Sequence, residues 1–371
     1  MQPEDIAGEA LTAAPAAEPA FAWLIGLLAL PWFLHASVVL SSSVGIRPLA
    51  GPIPAWLLIL ISVTGAYMLA RAASRQAQRD ATNDEPPAQP VTLLLRLLTI
   101  ASVIAFWVPL LTATILPIIA YDAISYRLPV IAQWLDAGRI AWVASDDPVR
   151  NGYPLGVEAI TALVAAASGS LRFAGTTSYL FVAAAAVAIF WLARVCNVRP
   201  LVARAAAASF LLVPMMILNA PSGYVDAAFA SACVCLFCSA ALCVSSASPW
   251  VFLATGMSTA HVLALKGTGL PFAVLIVGLC VLRALIQRRS PGLHALVAFV
   301  AAAAPGLFWP IRNVVNTGNP LWPIRLSLGG KELLPGVGTA EQILDVAGNT
   351  PALLVPHAPP TRVLLTWLQW T

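Results

Sequence analysis

The chain has 371 residues, 60% of them hydrophobic and 10% charged, with a net charge of +4 and a mean hydropathy of +0.85. Soluble domains carry roughly a quarter charged residues, so this composition excludes an ordinary soluble enzyme and describes a polytopic membrane protein. The positive excess is too small to imply nucleic-acid binding, and its distribution along the chain reports on topology instead.

Residues 1–20 are rich in Ala and Pro, carry Glu4, Asp5, Glu9 and Glu18, and lack the basic start of a secretory signal peptide, which predicts a disordered cytoplasmic tail. Apolar runs of about 17–25 residues can cross a bilayer as helices, because a helix satisfies its own backbone. Such runs lie near residues 21–42, 53–70, 93–120, 176–193, 201–220, 225–244, 250–265, 267–286 and 293–311. Residues 21–70 are read as a two-span N-terminal unit. Residues 71–92, with Pro86, Pro87 and Pro90, are read as a cytoplasmic linker.

The main transmembrane core is placed at 93–312 and includes an extracytoplasmic loop at 121–155. Residues 156–169 are apolar but short, which predicts a re-entrant or interfacial helix. Residues 313–371 are predicted as an extracytoplasmic loop, Gly-, Asn- and Pro-rich to about 360, ending in a short aromatic segment at Leu364–Thr371 that reads as an interfacial anchor or the start of a further span. The expected fold class is all-α, a transmembrane helical bundle with extracytoplasmic interfacial helices.

Basic residues in short loops are retained on the cytoplasmic side. Arg71, Arg75, Arg79 and Arg96 flank one loop, Arg194, Arg199 and Arg204 a second, and Arg283, Arg288 and Arg289 a third. With all three cytoplasmic, Asp122, the turn before Asp226, Lys266 and Arg312 fall on the opposite face. The parity closes only if 156–169 does not cross.

Four cysteines, Cys233, Cys235, Cys238 and Cys243, crowd one apolar segment without zinc-site spacing, and are read as small side chains packing between helices. His35, His261, His294 and His357 form no ligand pair at helical spacing.

The carboxylates are more telling because they are scarce. Asp226 is the sole acidic residue between Glu158 and Glu332, at the head of a membrane helix, where it is either a helix cap or a functional group. Asp122 stands in Tyr121-Asp122-Ala123-Ile124-Ser125-Tyr126-Arg127-Leu128-Pro129, a polar break after a long apolar run. It is either a cap for a helix over Leu128–Ala137 or a chemical group at the water–lipid boundary. That helix sets Ile131, Trp134 and Leu135 on one face and Gln133, Asp136 and Arg139 elsewhere, the pattern of a helix lying on the membrane surface.

Tyr121 to Pro129, followed by Trp134 and by Asn151-Gly152-Tyr153-Pro154-Leu155-Gly156, resembles the first extracytoplasmic loop of C-type membrane glycosyltransferases. The similarity is greatest to their bacterial dolichyl-phosphate-mannose-protein-mannosyltransferase-like branch. Ser222 to Asp226 is similar to the second aspartate turn of those enzymes, and Leu265 to Pro271 to their lysine-containing helix break. Pro310 to Asn313 and Thr317 to Pro323 resemble a later loop. Together the motifs cover roughly residues 93–325. Relatives often have His where this chain has Arg127, which keeps a cationic donor there. Such enzymes commonly continue with more spans, so the chain is a short member, a fragment or an inactive relative.

The resemblance implies transfer of a sugar from a polyprenyl-phosphate donor to a lipid, glycan or protein acceptor, on the periplasmic face of a bacterial inner membrane. Such transfer needs a base for the acceptor proton and stabilisation of the departing phosphate. Asp122 is the candidate base for an inverting displacement. Asp226, Tyr126, Arg127, Lys266, Arg312 and Tyr153 are the candidate substrate-binding residues. Lys266 and Arg312 also have a bland reading, as interfacial side chains reaching lipid headgroups, and Arg150 is either a phosphate ligand or a solvated loop residue. Tyr121, Tyr126, Trp134, Trp142 and Tyr153 are candidates either for stacking on a sugar or for an interfacial belt. No cofactor is expected. A divalent cation held by Asp122 and Asp226, with Asp146, Asp147 or Glu158, is possible on ligand type but not favoured. The alternative function is a non-catalytic membrane protein, such as a lipid-linked glycan transporter or an assembly partner.

Overall fold

A computed structural model describes residues 19–80, 93–143, 145, 149–243, 246, 248–286 and 292–338. The predicted N-terminal tail, most of the linker, Asp146, Asp147 and the terminal aromatic segment lie outside the described residues. The fold is a helical bundle, and it falls into two units, one ending at Trp309 and one beginning at Pro310.

In chain order the first unit contains α1 (Pro19–Ser43), α2 (Pro52–Asp80), α3 (Leu93–Ala113), a π-turn (Ala123–Arg127) that runs directly into α4 (Leu128–Ala137), a single turn α5 (Val149–Gly152) and α6 (Gly156–Ser168). There follow a 3-10 turn (Leu171–Thr176), α7 (Ser178–Val195), α8 (Pro200–Leu211), α9 (Pro214–Asn219), α10 (Asp226–Cys243), α11 (Pro249–Leu265), α12 (Gly269–Ile286) and α13 (Leu293–Ala303). A second 3-10 turn (Ala304–Leu307) leads into α14 (Phe308–Thr317).

Six helical stretches are long and apolar enough to cross a membrane: Ala20–Ser43, Pro52–Gln76, Leu93–Ala113, Leu171–Val195, Asp226–Cys243 and Leu293–Thr317. The chain is therefore a multi-pass membrane protein. The predicted spans at 201–220, 250–265 and 267–286 correspond to shorter apolar helices. The run at 201–220 is broken into α8 and α9, because Pro214 lacks an N–H and drives Val213 out of the helical region, to φ −62°, ψ 123°. The runs at 250–265 and 267–286 are α11 and α12, separated at Lys266, which is extended. The predicted 93–120 run ends at Ala113, before Pro117. The first residues of the predicted linker are helical instead, since Arg71 to Asp80 contains neither Gly nor Pro and continues α2.

The two short helices expected near the membrane surface are both packed against protein. Helix α6 has 13 residues, about 20 Å at 1.5 Å each, too short for a hydrocarbon core of about 30 Å. Its surroundings are protein: Gly156 to Leu163 and Ala165 to Ala167 are buried among α1, α2, α4 and α11, as a short re-entrant helix requires. Helix α4 likewise turns Val130, Ile131 and Trp134 into the protein. Trp134 is 1% exposed, stacks on Trp309 at a centroid distance of 6.1 Å, and its indole N–H donates to the Ala141 carbonyl at 2.9 Å. It is a packing residue and is removed from the sugar-stacking candidates. An amphipathic pattern marks which face is covered; here protein covers it.

The bundle has two main apolar cores. One contains Val38, Ile131, Trp134, Leu155, Ile160, Val225 and Leu265, and gathers the ends of helices near Asp122. The other contains Phe21, Trp191, Val195, Leu242 and Val251. Val195, at the end of α7, and Leu242, near the end of α10 opposite Asp226, both belong to this second core.

Helix α11 is the axis. Thirteen of its 17 residues are buried, from Val251 through Leu265, as befits a helix apolar on every side. Lipid tails are as apolar as leucine, so contact between helices here depends on close packing of small residues. The sulfurs behave accordingly: Cys235 and Cys238 are buried in the second core, and the Cys243 sulfur lies 3.0 Å from the Thr255 hydroxyl.

The second unit is not a plain loop. Beyond the end of α14 it contains a hairpin of β1 (Leu326–Leu328) and β2 (Lys331–Leu334). Asn319, fully buried, organises it: the side-chain amide donates to the Ile324 and Pro335 carbonyls, each at 2.7 Å, and its oxygen accepts from the Leu321 N–H at 2.7 Å. Asn319→Ala removes both part-buried hydrogen bonds to these carbonyls, at roughly 0.5–1.5 kcal/mol each. Faster proteolysis within 318–338, with cleavage elsewhere unchanged, is the expected result.

Candidate functional site

The π-turn sets the direction of the site. Tyr121 begins a helical stretch whose register widens at Ala123–Arg127, where the Leu128 N–H donates to the Ala123 carbonyl five residues back. Such insertions occur frequently at functional sites. Asp122 lies inside this stretch with helical backbone angles and makes no side-chain cap hydrogen bond. The capping reading of Asp122 is therefore corrected: helix α4 begins as a continuation of the π-turn.

The second aspartate turn packs against the first. Gly223 has φ +79°, a conformation that favours glycine, and a Cβ placed there would lie 3.2 Å from the Ala123 Cβ. The Val225 carbonyl accepts from the Phe229 N–H at 2.8 Å, so Asp226 falls in the first turn of α10, where the helix dipole favours negative charge. Its carboxylate accepts from the Lys266 ammonium at 2.7 Å. Lys266 is the residue at which α11 ends, and its nitrogen also stands 5.9 Å from the Phe229 ring centroid. Both members of the pair are half exposed, with side-chain exposures of 41% and 38%.

The loop motif closes the group. A Cβ on Gly267 would be 3.9 Å from the Tyr153 ring, which places half-buried Tyr153 beside the lysine turn. The Arg150 guanidinium donates to the Ser125 carbonyl in the π-turn at 3.4 Å. Tyr121 is exposed. Segments 121–127, 150–153, 223–226 and 266–267, distant in sequence, thus lie at one end of the bundle.

Arg127 is turned inward. Its guanidinium forms an ion pair with Glu158 and donates to the Tyr126 hydroxyl at 2.9 Å. Burial alone would lower the guanidinium pKa, but the Glu158 carboxylate, followed by Tyr126 and Asp122, more than reverses this, so Arg127 is held charged above its ordinary range. Burial raises the Tyr126 hydroxyl above the usual tyrosine range against the opposing pull of Arg127, so it stays protonated. Arg312 belongs to the second unit, where its guanidinium donates to the Asn313 side-chain oxygen at 3.2 Å.

Glu158 was considered above only as an oxygen ligand for a cation. The stronger signal was its isolation: one carboxylate inside the apolar run 156–169 calls for a cationic partner. Among the described residues no group of three or more His, Cys, Asp or Glu is placed to hold a metal ion. The Asp226 and Glu158 carboxylates face Lys266 and Arg127.

Chemically, the group offers a partly exposed carboxylate at Asp122, a reachable ammonium at Lys266 and aromatic surface at Tyr153. Comparison with protein-family models, with curated proteins and with solved structures finds no match.

Proposed function

We infer that the protein is a membrane glycosyltransferase that moves a sugar from a polyprenyl-phosphate donor to a lipid, glycan or protein acceptor at the extracytoplasmic face. The observation that carries this reading is the Asp226–Lys266 pair at the bundle end that also presents Asp122. In the proposed reaction Asp122 takes the acceptor proton, the acceptor oxygen or nitrogen bonds to the anomeric carbon, and the bond from that carbon to the phosphate oxygen breaks. The electron pair leaves with the lipid phosphate, and the configuration inverts. Lys266 stabilises the departing phosphate.

Energetics favour Lys266 for this role. A pair as exposed as Asp226–Lys266 contributes only about 0–1 kcal/mol to stability, so a phosphate can take over the ammonium at little cost. Asp226 holds the lysine extended until the donor arrives.

The test uses the full chain in liposomes with a radiolabelled polyprenyl-phosphate hexose. Release or transfer of labelled sugar is expected; translocation of intact lipid-linked sugar without release would overturn the reading in favour of a transporter. Lys266→Ala is expected to lower kcat/KM for the donor by roughly 10- to 100-fold, equivalent to about 1.5–3 kcal/mol for a hydrogen bond to a charged group.

A further inference from the structure

Arg127 and Glu158 form a buried ion pair, 8% and 2% exposed, between the π-turn and the first turn of α6. Stability does not account for it. Taking two charges out of water is costly, and apolar residues of similar volume often serve as well or better. The pair is also incompletely satisfied, since Arg127 Nε and Glu158 Oε2 are buried without a hydrogen-bond partner among the described residues. What distinguishes the location is the backbone it holds. Arg127 is the last residue of the π-turn and Asp122 the residue just before it, and the guanidinium interacts electrostatically with both Glu158 and Asp122.

Glu158 is itself rigidly mounted. It lies two residues after Gly156, where a Cβ would meet the Ala264 carbonyl at 2.7 Å, so the start of α6 is seated directly on the end of α11. Helix α11 ends at Lys266. One chain of interactions therefore runs from Asp122, electrostatically to Arg127, and on through Glu158 and Gly156 to the helix that presents the lysine.

We propose that Glu158 is a positioning residue: through Arg127 it locks the π-turn and fixes the Asp122 carboxylate relative to Lys266. This rests on the reading of Asp122 as the base. Arg127, on this account, serves as a brace for the turn and makes no contact with the donor.

The test compares the full-length protein with the double variant Arg127→Met/Glu158→Leu, which removes both charges and leaves neither one stranded. The double variant is expected to keep its thermal midpoint within a few degrees. Its kcat with radiolabelled polyprenyl-phosphate hexose should fall about 100-fold, the scale of an ångström-sized misplacement, with donor KM nearly unchanged. A second readout needs no activity: in an Asp122→Cys background, labelling of that thiol by a methanethiosulfonate reagent, located by peptide mass, should change several-fold when the pair is removed. Wild-type kcat together with unchanged labelling would overturn the proposal. If the wild-type chain releases no sugar, the glycosyltransferase reading falls, while the labelling rate still decides whether the pair sets the position of residue 122.

Discussion

Asp122→Asn is expected to lower sugar transfer by about 10²- to 10⁴-fold, the range supplied by a positioned general base. Asparagine has nearly the same shape but cannot take the acceptor proton, so the loss should fall on kcat, with donor KM little changed. The structure argues that this will not be a folding defect. Asp122 caps no helix end, and the inward charge of Arg127 is already met by Glu158. Asp136→Asn, exposed on α4 two turns after the π-turn, provides the control and should retain wild-type transfer. Sugar transfer that survives Asp122→Asn unchanged would remove Asp122 from the mechanism while leaving the roles of Lys266 and Asp226 to be tested separately.

That Asp226 meets Lys266, beside the turn that follows Asp122, was legible from sequence because two signals agreed. Each stands at a polar break beside an apolar run, and the arginine-rich loops assign those breaks to one side. What α4 packs against was not legible. Its period gives an apolar face, but the same pattern serves a helix lying on lipid and one packed on protein; only the stack of Trp134 on Trp309 decides between them. The break at Val213 was available in Pro214 and was overridden by the hydropathy of the run. The Arg127–Glu158 pair was hidden by distance along the chain. An unmatched cation and an unmatched carboxylate, each near apolar sequence, suggest partners without identifying each other. Gly256-Met257-Ser258-Thr259-Ala260 offered a further cue, a small-residue spacing typical of close membrane-helix packing.

That spacing underlies the second large effect. A Cβ on Gly256 would sit 2.5 Å from the Phe299 carbonyl oxygen and 2.8 Å from the Ala302 Cβ, and one on Gly306 would sit 2.6 Å from the Ala260 Cα. Helices α11 and α13, with the turn after α13, therefore meet through two reciprocal small-residue contacts: Gly256 against Ala302, and Ala260 against Gly306. Neither obstacle is a flexible side-chain end, so Gly256→Leu must separate the two backbones. Overpacking of this kind costs about 1–3 kcal/mol where the core can adjust and more where backbone must move. The strain cannot be confined to one edge, because α11 is buried on every side and ends at Lys266. Gly256→Leu is expected to abolish recovery of monodisperse protein from membranes, and Gly256→Ala to lower the thermal midpoint measurably. A normal midpoint for Gly256→Leu would contradict the close approach of α11 and α13.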